Sequence, residues 1–179
     1  VRPLFLTSWP TAAATVCVDS PFDYRRQALF VTVTNLPPPD RSEFATAVAD
    51  LLERLLGTVR RKTLVLFTAY QTLQRVAALL QAGGDLFSVS RRLAPGADPL
   101  LLVQAPGGDA GELLARFRRE KRAVLLGTTT FWEGVDFPGA ELELLVVVKL
   151  PFQVPNDPWV EARCDRIEAG GENAFETFM

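Results

Sequence analysis

Short apolar runs that alternate with segments of helical spacing, over short connections, constrain this chain more than any other feature. The runs Thr63–Phe67, Ala123–Leu126 and Leu142–Val148 read as strands buried on both faces, and Leu100–Gln104 as a further short strand. Two earlier segments also read as strands: Ala14–Ser20, stopped by Pro21, and the β-branched run Leu29–Thr34. Between them lie helical patterns. Phe44, Val48, Leu51, Leu52 and Leu55 mark one helix, opened by a capping box (Asp40 as cap, Glu43 three residues on) and closed by Gly57. Leu73, Val76, Ala77 and Leu80 mark a second, closed by Gly83-Gly84. Leu113, Leu114 and Phe117, after Gly107-Gly108-Asp109, mark a third, and Trp159–Ala169 a fourth. Residues 84–99 read as irregular, and Asn173–Met179 begins a further element. Such alternation predicts an α/β fold with a mainly parallel sheet and helices on both faces.

Composition excludes several chemistries. Histidine is absent, which removes Ser-His and Cys-His nucleophiles and histidine metal sites. Only three lysines occur, and they follow Arg61, Glu120 and Val148, so no Gly-Lys-[Ser/Thr] phosphate loop is present. Cys17 and Cys164 are far apart and read as small buried hydrophobes, not as a disulfide or metal pair. A net charge of −2 gives no overall basic footprint, although a local patch can still bind nucleic acid. The longest apolar run is far too short to cross a bilayer, and the N-terminus lacks the apolar core of a secretory signal. A cytoplasmic protein without membrane contact is expected.

In a parallel sheet, ligands gather at the carboxyl edge of the strands. Three strands deliver notable residues there: Thr68, Ala69 and Tyr70; Gly127 to Thr130; and Lys149 to Phe152. The richest segment is Gly127–Gly139, with three hydroxyls (Thr128, Thr129, Thr130), two aromatics before Glu133, and a second carboxylate at Asp136. Hydroxyls and free backbone N–H groups hold phosphates. Aromatics stack bases. Carboxylates accept from a ribose hydroxyl or orient an arginine. A well-capped turn built on Asp136-Phe137-Pro138-Gly139 accounts for the same residues equally well.

The segment Gly127–Gly139 closely resembles motif V of the DinG/XPD-like superfamily 2 DNA helicases, whose bacterial members carry Ser-Phe-Trp-Glu-Gly-Val-Asp; Thr130 stands at the serine. Leu64–Tyr70 resembles motif IV of that family, with Ala69 where serine is common. Ser20–Tyr24 resembles the start of its second motor lobe, and Lys149–Pro155 with Asp157-Pro158 the loop after motif V. The four matches fall in family order.

The resemblance implies a C-terminal RecA-like lobe, a three-layer α/β/α member of the P-loop NTPase fold without its own P-loop. It implies one domain over residues 1–179, cut before motif VI, with residues 1–13 as a linker from the preceding lobe. ATP and Mg2+ would be held mainly by that first lobe, with no metal ligand in this chain. Glu133, Gly134 and Asp136 would face the ATP cleft and couple it to DNA, with Glu133 and Asp136 as the catalytic coupling pair. Thr68, Tyr70, Thr128, Thr129 and Thr130 would contact single-stranded DNA. Partners would be that DNA and the preceding lobe, with the protein monomeric. The whole protein would move 5′ to 3′ and serve DNA repair, and the lobe alone would be ATPase-inactive. The family's iron–sulfur cluster belongs to the first lobe, and neither cysteine here matches its site. Two other readings stay open: a non-catalytic nucleic-acid or protein interaction module, and a nucleotide-binding regulatory or transferase domain.

Weaker signals have plainer explanations. The basic run Arg116–Arg122 reads as a solvated helix end favoured by the helix dipole, and Trp159 as a packing residue.

Overall fold

The computed structural model describes residues 17–82, 99–151 and 157–178. The chain divides into two units, Val1–Thr34 and Asn35–Met179. The expected linker over 1–13, the first part of the Ala14–Ser20 segment and Trp9 lie outside the described residues. So do Gly83-Gly84, most of the irregular stretch before Pro99, and part of the loop after Pro151.

In the described part of the first unit, one short helix forms, α1 (Tyr24–Gln27), and it buries none of its residues. Residues 17–20 are not a strand, and neither is Leu29–Thr34, where Leu29 and Phe30 are almost fully exposed. β-branched residues favour strands because they fit a half-buried pleated surface. Here no ladder forms, so the propensity has nothing to act on. Cys17 is exposed for the same reason, and Cys164 is only half-buried, which corrects the expectation that both sit in a core.

Among the described residues the second unit is built on four parallel strands. In chain order its elements are α2 (Phe44–Thr58), β1 (Thr63–Leu66), α3 (Tyr70–Ala82), β2 (Leu100–Val103), α4 (Ala110–Arg119), β3 (Ala123–Gly127), β4 (Leu144–Val147), α5 (Pro158–Ala169) and α6 (Ala174–Phe178). The strand order is β2-β3-β1-β4, with every pairing parallel. Alternate side chains of a strand point to opposite faces, and the core divides accordingly. Val65, Phe67, Val124 and Leu126 pack with α2 and α3 residues such as Leu52 and Leu73. Leu64, Leu66, Leu102 and Leu125 pack with Phe117 of α4. The result is the three-layer α/β/α arrangement of a RecA-like lobe, as expected.

Local details differ from expectation. Helix α2 starts at Phe44, with Glu43 at the cap and no side-chain cap hydrogen bond. Asp40 is not the cap, because the residues before the helix form turns in which Arg41 N–H donates to Pro38 and Phe44 N–H to Arg41. The helix also runs through Gly57 to Thr58, where Val59 N–H still reaches the Leu55 carbonyl at 2.7 Å. β4 is not buried on both faces: Leu145 is 52% and Val147 40% exposed. Leu145 and Val147 lie on the sheet face that carries Leu64, and at β4 that face is open to solvent, while among the described residues β4 is an edge strand paired to β1. Trp159 is not packed either; it is exposed, with the Arg163 guanidinium over its ring at 5.6 Å.

The basic run does close α4. Arg118 pairs with Glu141 and donates to the Asp136 carbonyl at 2.6 Å. Buried Lys62 donates from Nζ to the Arg118 carbonyl at 2.9 Å, over the Phe117 ring, a cation at the negative end of the helix.

Candidate functional site

Three strand ends converge on one edge. β1 delivers Thr68 and Tyr70, β2 delivers Gln104 and Ala105, and β3 delivers Thr128, Thr129 and Thr130. Together with Gly107, Gly108 and Ala110 they line a cavity of about 350 Å³. The parallel register explains the convergence, because Leu66 is level with Gly127, and Val103 with Leu126. All five residues expected to contact DNA therefore stand in one place.

Their surroundings are not alike. Thr128 is buried, 3% exposed, whereas Thr129 and Thr130 are exposed. Gln104, 6% exposed, lies between the strand ends. Its Oε1 accepts from Thr128 N–H at 2.7 Å and from the Thr128 hydroxyl at 3.0 Å, while its Nε2 donates to Thr130 Oγ1 at 3.1 Å. Both ends of the amide are satisfied, as a buried polar group requires. The Tyr70 hydroxyl donates across the cavity rim to the Ala105 carbonyl at 2.9 Å.

The turn after β3 is held by its aromatics. Thr129–Phe131 is a single 3-10 turn. Phe131 is buried under it, so close that a Cβ at Gly127 would meet the ring at 2.5 Å. Only glycine fits there. The half-buried Trp132 donates its indole N–H to the Phe67 carbonyl at 3.2 Å, joining the end of β3 to the end of β1. These aromatics are fixed by packing and hydrogen bonding, so base stacking falls to neither.

Glu133, Gly134 and Asp136 lie outside this cavity, on the exposed stretch that follows. Gly134 has φ +74°, a conformation that disfavours a side chain. The Asp136 carbonyl is held by Arg118, and its side chain is solvent-exposed. Among the described residues no group of three or more Cys, Asp or Glu stands close enough to hold a metal ion. Among the described residues the one ionisable group with a shifted pKa, Glu53 on α2, lies far along the chain from the site residues; burial, then Asp50, raises it.

Gln104 is the site residue that sequence reasoning misses. It was legible only as the polar end of an apolar strand at the carboxyl edge, a position where nothing apolar is needed and a buried amide has to serve its neighbours.

Residues 52–179 match the family described as "Helicase C-terminal domain". The chain is similar to "3'-5' exonuclease DinG" of Bacillus subtilis, 33% identical over 91% of the chain and 17% of that protein. It is similar to "ATP-dependent DNA helicase YoaA" of Escherichia coli, 31% identical over 92% of the chain and 24% of that protein. It is also similar to "ATP-dependent helicase DinG" of Mycobacterium tuberculosis, 29% identical over 96% of the chain and 24% of that protein. The chain thus spans only a quarter or less of the relatives named here.

Proposed function

The chain belongs to the helicase C-terminal domain family, and from that premise we propose that it is the second motor lobe of an ATP-dependent DNA helicase of the DinG type. The observation that carries the reading is the cavity at the carboxyl edge, where hydroxyls from two strand ends meet a buried amide from a third. Hydroxyls without a positively charged residue suit contacts to a sugar–phosphate backbone, which position a strand without reading its sequence. Single-stranded DNA is the proposed ligand, along which the whole protein is proposed to move 5′ to 3′. Direction follows from the resemblance of motifs IV and V, and unwinding of 5′-tailed but not 3′-tailed duplexes tests it.

Glu133 and Asp136 are proposed to couple ATP to that track. They stand on the stretch that follows Trp132, whose indole N–H is bonded to the Phe67 carbonyl at the end of β1. The chain offers little to a triphosphate itself: Lys62 is buried on a carbonyl, and no Gly-Lys-[Ser/Thr] occurs in its sequence. ATP and Mg2+ are therefore proposed to be held by a preceding RecA-like lobe, with this lobe closing on them in a monomer. That two of the relatives are called ATP-dependent helicases supports this assignment. Among the described residues no helix is long and apolar enough to cross a membrane.

The test is ATP hydrolysis with and without single-stranded DNA, for the 179-residue chain and for the full-length protein that carries it. Turnover by the long form alone, stimulated by DNA, supports the motor reading. Turnover by the short chain contradicts it. Turnover by neither favours a non-catalytic interaction module.

A further inference from the structure

Gln104 does more than fill the gap between two strand ends, and the reason lies in the direction of its hydrogen bonds. A backbone N–H can only donate, so the amide atom 2.7 Å from Thr128 N is the oxygen. The amide nitrogen then faces Thr130 Oγ1, and an NH2 group also can only donate. Thr130 Oγ1 is therefore an acceptor on its inner side, and its own proton has to point away from Gln104. Thr130 is exposed and lines the cavity. The Thr128 hydroxyl is the opposite case, because its proton is engaged by Gln104 Oε1 at 3.0 Å.

Resting on the reading above, we propose that Gln104 is a positioning residue that fixes Thr130 as an outward hydrogen-bond donor, so that the cavity selects a ligand presenting acceptors alone, the phosphodiester of single-stranded DNA. The neighbouring start of α4 does not supply this contact by itself. Its Gly111 and Glu112 N–H groups already donate to the Asp109 carboxylate, which also brings a negative charge to that side. The Thr130 hydroxyl is a donor whose direction the fold fixes. Gln104 is tied to the sheet by its own N–H, which donates to the Leu126 carbonyl at 3.0 Å, so the amide is anchored at the ends of β2 and β3.

The experiment measures binding of a fluorescent oligothymidylate to the full-length protein by anisotropy, beside its melting temperature and its KM for ATP. Gln104→Glu keeps an acceptor for Thr128 but puts an oxygen where the NH2 group was. Thr130 then donates inward and shows the ligand its lone pairs. The expected result is a loss of about tenfold or more in DNA affinity, the scale of one hydrogen bond to a charged group, with KM for ATP unchanged and a melting temperature lowered by the buried carboxylate but still above the assay temperature. Thr130→Val loses about as much, Thr130→Ser retains binding, and Thr130→Val adds no further loss on the Gln104→Glu background. Wild-type affinity in a folded Gln104→Glu protein overturns the proposal. Should that variant fail to fold, the Thr130 pair decides: equal binding by Thr130→Val and wild type overturns it. A wild-type protein that does not bind the oligonucleotide overturns the motor reading and this inference together.

Discussion

The segment Gly127–Gly139 is continuous in sequence, yet its two halves are held in opposite ways. From Gly127 to Trp132 the chain is tied down: Thr128 and Phe131 are buried, and Trp132 is bonded to the end of β1. From Glu133 to Gly139 it is largely exposed, and its fixed points are the Asp136 carbonyl on Arg118 and the Phe137 ring against Phe117. A rigid half can present hydroxyls at set positions, where preorganisation matters. An open half can meet a second surface. In the proposed motor the first holds DNA and the second receives the ATP-bearing lobe.

Substitutions separate the halves. Gly127→Ala should have the largest effect on stability. Its Cβ would overlap the Phe131 ring, and overpacking of a filled core costs about 1–3 kcal/mol. Thermal unfolding of the chain checks this, and an unchanged melting temperature would mean that the turn is not packed as described. Trp132→Phe comes next. It keeps an aromatic ring but removes the donor to Phe67, with an expected cost of about 1 kcal/mol. In the open half, Glu133→Ala and Asp136→Ala should each stay within about 0.5 kcal/mol of the parent, as exposed positions do. A large loss there would erase the contrast between the halves.

The smallest expected effect lies outside both halves, at Glu53, and serves as a reference. Burial, and then the nearby Asp50, raise its pKa in the folded protein. The folded state thus keeps the proton to higher pH than the unfolded state does. The associated stability is fully present below the ordinary carboxylate range and is lost as pH rises through the raised value. Glu53→Gln should therefore match the parent in acid and melt slightly higher at neutral pH. A difference that does not change with pH would assign the effect to something other than ionisation.

How far the sequence reaches is clear from particular residues. The sheet is readable because Thr63–Leu66 and Ala123–Gly127 are apolar on both faces, and parallel pairing then brings Thr68 and Thr128 to the same cavity. The failures have a common cause, since each depended on a partner that local pattern does not reveal. Leu29–Thr34 has strand composition without a ladder. Leu142–Val148 reads as buried because nothing in it says that one face of β4 is left uncovered. Asp40 has the spacing of a cap, but turns occupy the residues around it. Gln104 was hidden because its function is to its neighbours 24 and 26 residues later. Hydrogen-bond direction, unlike periodicity, is visible only once those groups are in one place.

The most direct test of the account is ATP hydrolysis by the full-length protein, titrated with single-stranded DNA, for wild type, Thr130→Val and Asp136→Ala. The account predicts that Thr130→Val raises the DNA concentration giving half-maximal stimulation and leaves the maximum intact. Asp136→Ala should abolish the maximum while direct DNA binding persists. Wild-type turnover in Asp136→Ala, or a shift of the same parameter by both substitutions, would contradict it.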